Sequence, residues 1–256
     1  MTRESYSTNV DDQMSNGCTS GHMLCGLSRL SSRSAFAVAT FFPTAVITHH
    51  FAHPSLSTSV CPGSAPCYTP VYPSTETTMS LLVLAAFSIL AARTIPGLVA
   101  QVTVSHTTKD AKQQPADTHT AARLTTQVFS GLLFALGLHI SQMAHPAKVA
   151  AFLSFPNSQH WDPSLALVIL FGVLPNLIEN QVKGFNSPPS FADKFSLPNK
   201  TLQDVDKRFV MGAAAFGIGW GLTGTCPGPA VLRAFFQPVW GALWIGGFWL
   251  GGKLNI

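Results

Sequence analysis

Six stretches of fifteen to twenty-two residues carry almost no charge, and that pattern dictates what the chain folds into. They are 34–53 (SAFAVATFFPTAVITHHFAH), 79–100, 124–143, 161–181, 208–225 and 238–252 (PVWGALWIGGFWLGG). A helix that crosses a bilayer needs about 20 mostly apolar residues. In water, each stretch would have to be sealed behind a charged shell. Only 10% of the 256 residues are charged and 46% are hydrophobic, whereas roughly 25% are charged in an ordinary soluble domain. The composition therefore argues against a soluble globular enzyme and for a chain solvated by lipid. The expected fold class is all-α, a polytopic integral membrane helical bundle whose partner is the lipid bilayer. The 18 prolines and 20 glycines are tolerated there, because neighbouring helices re-satisfy broken backbone. The last two stretches are short and interrupted by glycine, as in broken or re-entrant half-helices that stop near the membrane midplane. A net charge of +4 is too small and too dispersed for a nucleic-acid partner.

The basic residues orient the bundle. With the N-terminus inside, the inner segments hold Arg3, Arg29, Arg33, Lys109, Lys112, Arg123, Lys183, Lys194, Lys200, Lys207, Arg208 and Lys253. The outer segments hold Lys148 and Arg233, and Arg93 lies within a span. This positive-inside bias predicts both termini in the cytoplasm, most simply at the plasma membrane. Residues 1–15 read as a polar tail, without the apolar core of a leader or an anchor. Residues 16–104 form a first part with two spans and a Pro/Ser/Thr-rich, disorder-prone loop at 54–78. Residues 105–122 are a polar linker, and 123–256 form a second part with four spans.

The five cysteines show no CxxC pair and no zinc spacing, so neither a metal nor another cofactor is expected. Cys61 and Cys67 could pair if their loop faces an oxidising compartment. Cys18, Cys25 and Cys226 sit instead in glycine-rich apolar contexts.

Three segments are too polar or too broken for plain spans: 16–33 (NGCTSGHMLCGLSRLSSR), 141–155 (SQMAHPAKVAAFLSF) and 217–237 (GIGWGLTGTCPGPAVLRAFFQ). Aligning Cys18 with Cys226 matches the first and third. Gly17 and Gly21 flank one cysteine, Gly224 and Gly228 the other, and each cysteine opens a short amphipathic stretch that leads to an apolar span. Glycine permits positive φ and close approach to a ligand. A half-helix starting there turns unpaired N–H groups and its positive dipole end into the turn, which suits an anion. Pro227 fits a helix start, where a missing N–H costs nothing. A thiol adds a soft, weak donor. It must be uncharged, since a thiolate repels an anion, and apolar surroundings favour that form. The chemistry suits a small, soft, sulfur-bearing anion better than a hard cation.

Several residues have plainer readings. Cys25 lies seven residues after Cys18 and could share its helix face, but a cysteine in such a setting is commonly a small packing residue. His22 is either a pore donor or a hydrogen-bonded packing residue. His49, His50 and His53 read as interfacial at a span end. The glycines between Gly212 and Gly224 read as close helix packing. Glu179 and Arg93 snorkel or pair near span ends, and the aromatics of 238–252 face lipid or the interface.

NGCTSGHMLCGLSRLSSRS resembles the signature of the YeeE/YedE-type sulfur transport proteins, a thiosulfate-uptake membrane family. SQMAHPAKVAAFLSF, WDPSLALVILFG and GIGWGLTGTCPGPAVL resemble that family's companion half. The resemblance covers about 16–53 and 124–252. It implies a bundle of inverted repeats whose cysteine turns meet at a central constriction and pass thiosulfate or a related species. The substrate path it implies is Cys18 and Cys226, with Gly17, Gly21, His22, Gly224 and Pro227 around them and Cys25 beside them. Three departures stand out. The family usually has further helices, with another cysteine turn, ahead of NGCTSGH, so a partner could supply them. Gln142 stands where the family has glycine. His145 stands where a small polar or acidic residue is common.

The leading expectation is a transporter or channel for a small sulfur-containing anion, with no covalent chemistry. A membrane thiol enzyme handling sulfane sulfur is one alternative, although no base is evident beside any cysteine. A truncated, non-transporting family member is another.

Overall fold

The structure is a computed structural model that describes residues 18–53, 74–107, 119–143, 145–156, 161–192 and 195–253. The expected tail 1–15, Gly17, Cys61 and Cys67 lie outside the described residues. Every regular element among the described residues is helical. The α-helices are α1 (Ser32–Ala52), α2 (Thr75–Thr107), α3 (Thr120–Ile140), α4 (Pro146–Leu153), α5 (Leu174–Lys183), α6 (Lys207–Thr223), α7 (Pro227–Phe236) and α8 (Pro238–Lys253).

Hydropathy locates the spans and cap chemistry sets many of their ends. Four segments are long and apolar enough to cross a membrane: Ser32–Ala52, Thr75–Thr103, Thr120–Ile140 and Pro163–Lys183. A fifth forms if α6 and α7, bent by 45° at their break, make one broken span. The expected span 79–100 proves longer, because the helix starts at Thr75 inside the polar stretch that reads as loop. The expected span 238–252 becomes α8, 16 residues long and short of the ~30 Å apolar slab at 1.5 Å per residue.

Two compact units interleave along the chain. One takes its described residues from Met1–Thr69, Ser141–Gly184 and Pro198–Ile256, the other from Pro70–Ile140 and Phe185–Leu197. The second unit is built on the pair α2–α3. Its helices keep their Leu, Val, Ile and Phe side chains largely outward, among them Val83, Phe87, Leu90 and Leu132.

The first unit is organised on α1 against α6. Ser31 caps α1, its hydroxyl accepting the Ser34 N–H at 3.3 Å. Asp206 caps α6, accepting the Phe209 N–H at 2.7 Å. Pro43 lies inside α1 and cannot donate to the carbonyl four residues back. The two helices approach closely at two glycines one turn apart. A Cβ on Gly217 would lie 2.5 Å from the Phe41 carbonyl oxygen, and one on Gly221 would lie 2.5 Å from that of Ala45. The core that grows from this seam contains Ala37, Phe41, Ala45, Val149, Leu153, Leu165, Phe209, Trp220 and Cys226. Its rings meet edge-on, Phe41 to Phe216 at 5.5 Å and Phe41 to Trp220 at 6.0 Å between centroids.

Short non-α segments complete this unit. Pro175 cannot bond back to Phe171, and the preceding Ile169–Val173 widens into a π-helix in which Leu174 N–H reaches the Ile169 carbonyl. Asn180 of α5 donates from Nδ2 to the Ser28 carbonyl at 3.1 Å, tying α5 to the first turn. Before α6, Thr201 and Asp204 form a reciprocal capping box. There the Thr201 N–H, bonded at 2.6 Å, holds the Asp204 carboxyl below its ordinary range.

Candidate functional site

The break between α6 and α7 is made by glycine and proline. α6 ends at Gly224, whose φ of +59° is the left-handed cap that glycine adopts without strain. Its N–H donates to the Trp220 carbonyl at 2.9 Å. A side chain there would collide with α4, since a Cβ would lie 2.8 Å from the Pro146 carbonyl oxygen. The 217–237 turn is thus seated on the first residue of α4. Cys226 follows as the N-cap of α7, with extended backbone and no side-chain cap bond. Its carbonyl accepts the Ala230 N–H at 2.9 Å. Pro227 and Pro229 have no N–H, so Gly228 is the residue of the first turn of α7 with a free-standing N–H to offer. The expected cluster of N–H groups is therefore much thinner than a helix start usually provides. What remains is the dipole end, one amide and the surrounding side chains.

The 16–33 turn is built differently. Ser20–Gly26 is a π-helix and Leu27–Arg29 a 3₁₀ turn, which ends on Leu30 in the left-handed region at φ 56°. Gly26 is required at its position, because a Cβ would strike the side chain of Ser34. His22 is buried, its Nδ1 3.1 Å from Ser34 Oγ and its ring edge-on to Phe209 at 6.2 Å. The Arg33 guanidinium carbon lies 4.2 Å from the Phe209 ring centroid. Cys18 is half-buried and its sulfur lies 3.0 Å from Ser20 Oγ.

These two turns meet at Cys226. The thiol is 5% exposed and its side-chain neighbours include Thr19, Trp220 and Cys18. Sequence comparison within the chain pairs Cys18 with Cys226, and in the fold the two thiols lie near enough to interact electrostatically. The other candidates are placed unequally. Gly224 is buried and tight, whereas Gly21 is exposed with nothing within 4 Å of a would-be Cβ. Pro227 is half-buried at the start of α7. Cys25 is exposed, and its carbonyl accepts from Ser28 Oγ and from Arg29 Nε at 3.0 Å.

Trp220 is the residue that sequence reasoning missed. It lies on α6 six positions before Cys226 and is 4% exposed. Its indole N–H is buried and completes no hydrogen bond of ordinary geometry, although the Cys226 thiol is its polar neighbour. A tryptophan in a glycine-rich span that bends was the available signal.

The 141–155 turn supports the other two. Gln142 adopts φ +57°, the conformation for which glycine is best suited. Its carbonyl accepts the His145 N–H at 3.0 Å. His145 caps α4, its Nδ1 accepting the Ala147 N–H at 3.3 Å. Lys148, expected in an outer loop, is buried in α4 with its Nζ 4.0 Å from Asp162 Oδ2. His49, in the last turn of α1, is 1% exposed. Its neighbours clamp backbone: His50 Nε2 lies 2.7 Å from the Phe155 carbonyl, and His53 Nε2 lies 3.1 Å from that of Leu222. Glu179 pairs with Lys183 at 2.6 Å. Among the described residues, no group of three or more His, Cys, Asp or Glu is placed to hold a metal ion.

Lipid-length apolar helices, together with a helix pair bent at a glycine–cysteine break, define an integral membrane helical bundle. Residues 122–237 match the model of a family of unknown function, DUF6691. A protein of Xylella fastidiosa strain 9a5c named "Probable transporter" is 41% identical over 117 residues, covering 44% of this chain and 75% of that relative. A protein of the same name from the Temecula1 strain is 40% identical over 117 residues, covering 44% and 74%. The chain belongs to the family of these two proteins. No solved structure matches it.

Proposed function

We propose that this protein is a membrane transporter that passes a small sulfur-containing anion, thiosulfate, inward past the Cys18 and Cys226 turns, with both termini in the cytoplasm. The observation that carries this reading is the buried thiol of Cys226 at a helix start, with the Thr19 hydroxyl against it and the Cys18 thiol within electrostatic reach. A small anion moving through such a place meets soft, uncharged donors and a positive dipole end. Each contact is weak, so the anion is held loosely enough to leave again. The name of the two Xylella relatives supports transport in general, and the NGCTSGH and GTCPGPA motifs support sulfur as the cargo.

The test is uptake of labelled thiosulfate into proteoliposomes holding the purified full chain. Wild type takes up thiosulfate in preference to sulfate. Cys18→Ala and Cys226→Ala each lower the uptake about tenfold or more, the order expected from one lost contact to a charged group. Thiosulfate flux equal to that of protein-free liposomes overturns the proposal.

A further inference from the structure

We infer that Trp220 is a substrate-contacting residue that sets specificity, its indole N–H donating to an oxygen of the anion while Cys226 meets the sulfur end. The inference rests on the transport reading above.

Trp220 packs as an aromatic residue among Phe41, Phe42 and Phe216, with centroids 6.0, 6.3 and 6.5 Å away. Phenylalanine would keep most of that ring packing and bury no donor. Instead, the chain carries a fully enclosed N–H whose polar neighbour, the soft Cys226 thiol, completes no hydrogen bond of ordinary geometry with it. A buried donor without an acceptor is costly and rare, and calls for a specific explanation.

Its position supplies that explanation. The indole N–H adjoins the thiol of Cys226 at the break where α6 ends and α7 begins. Thr19 reaches the same thiol from the first turn. The proline pair of α7 has removed two backbone donors from this spot, so the indole N–H is a principal strong donor left to it. An anion with oxygens at one end and a terminal sulfur at the other satisfies both parts of the site. Its oxygens accept from Trp220 and Thr19, and its sulfur lies against the soft thiol. Hydrosulfide has no oxygen to accept the indole N–H. Sulfate has no soft end.

The experiment compares wild type, Trp220→Phe and Cys226→Ala in proteoliposomes, reading the apparent KM for labelled thiosulfate and the Tm. Trp220→Phe is expected to raise the apparent KM about tenfold, the order expected for one lost hydrogen bond to an anion. Its Tm stays level or rises, because the unsatisfied donor is gone. A role in packing alone moves both readouts the other way: stability falls and KM holds. Should Trp220→Phe lose its fold, benzothienylalanine at position 220, which replaces the N–H with sulfur in the same ring shape, takes its place under the same KM criterion. A wild-type KM in the variant without the N–H, alongside lost uptake in Cys226→Ala, overturns the role of Trp220 and leaves the transport reading standing. No thiosulfate uptake by wild type overturns both.

Discussion

α1 and α2 are both long apolar helices interrupted by proline, yet one is a core element and the other is hardly covered at all. Buried residues make up 22% of the apolar window of α1 and 6% of that of α2. The more apolar of the two is the less buried. In lipid this is the expected sense, because hydrocarbon tails solvate Leu and Val as well as a protein core does. Helices associate where small residues let backbones close and where polar groups find partners. At the α1 seam Gly217 meets the Phe41 carbonyl and Thr44, and Gly221 meets the Ala45 carbonyl and Thr48, with Ala37, Arg33, Ser34 and His49 buried along the same helix. α2 presents Met79, Val83, Phe87 and Leu90 outward. Burial within this bundle therefore follows the small and polar residues, and hydropathy marks the faces left to lipid.

The sharpest way to break this contrast is to put the same methyl group on both sides of it. Gly217→Ala places a Cβ against the Phe41 carbonyl and should cost about 1–3 kcal/mol through overpacking, read as a lowered Tm in detergent. Gly97 of α2 has nothing within 4 Å, so Gly97→Ala should be neutral or gain up to about 1 kcal/mol from helix propensity. Equal effects at the two positions would dissolve the distinction. A smaller effect sharpens it at the 141–155 turn. Gln142 holds a left-handed backbone, so Gln142→Gly should raise stability by about 1 kcal/mol, measured by thermal unfolding. A fall would mean that the glutamine side chain supplies a contact worth more than the strain it carries.

The same contrast explains what could be read before the fold was known. Spans 34–53, 124–143 and 161–181 were legible because charge-free runs of lipid length have few other uses. The start of α2 at Thr75 was not, since Thr-Glu-Thr-Thr carries a turn's composition and becomes helical by continuing a long apolar helix. Which glycines close the seam was half legible. Spacing offers Gly217, Gly219 and Gly221 together, and only the fold distinguishes the two in contact with α1 from Gly219, which faces open space. Cys18 and Cys226 could be singled out by their matched glycines, and Gly224 by the break it ends. Trp220 was legible only as a tryptophan in a bending, glycine-rich span; what marks it further is one N–H without a good partner, and that depends on which groups tertiary packing brings within reach. The burial of His49 was not legible for the same reason: it is set by α6, which no local pattern around His49 encodes.

The central claim is that the anion passes at the buried Cys226 thiol, and Cys25 is its internal control because it is exposed on the same turn as Cys18. The direct measurement is the alkylation rate of each cysteine by a membrane-permeant maleimide, read peptide by peptide in the full chain with thiosulfate or with equimolar sulfate. Thiosulfate should slow the labelling of Cys226 several-fold, leave Cys25 unchanged and have no counterpart in sulfate. Cys226 labelled at one rate in both salts, or Cys25 protected to the same degree, would contradict the account.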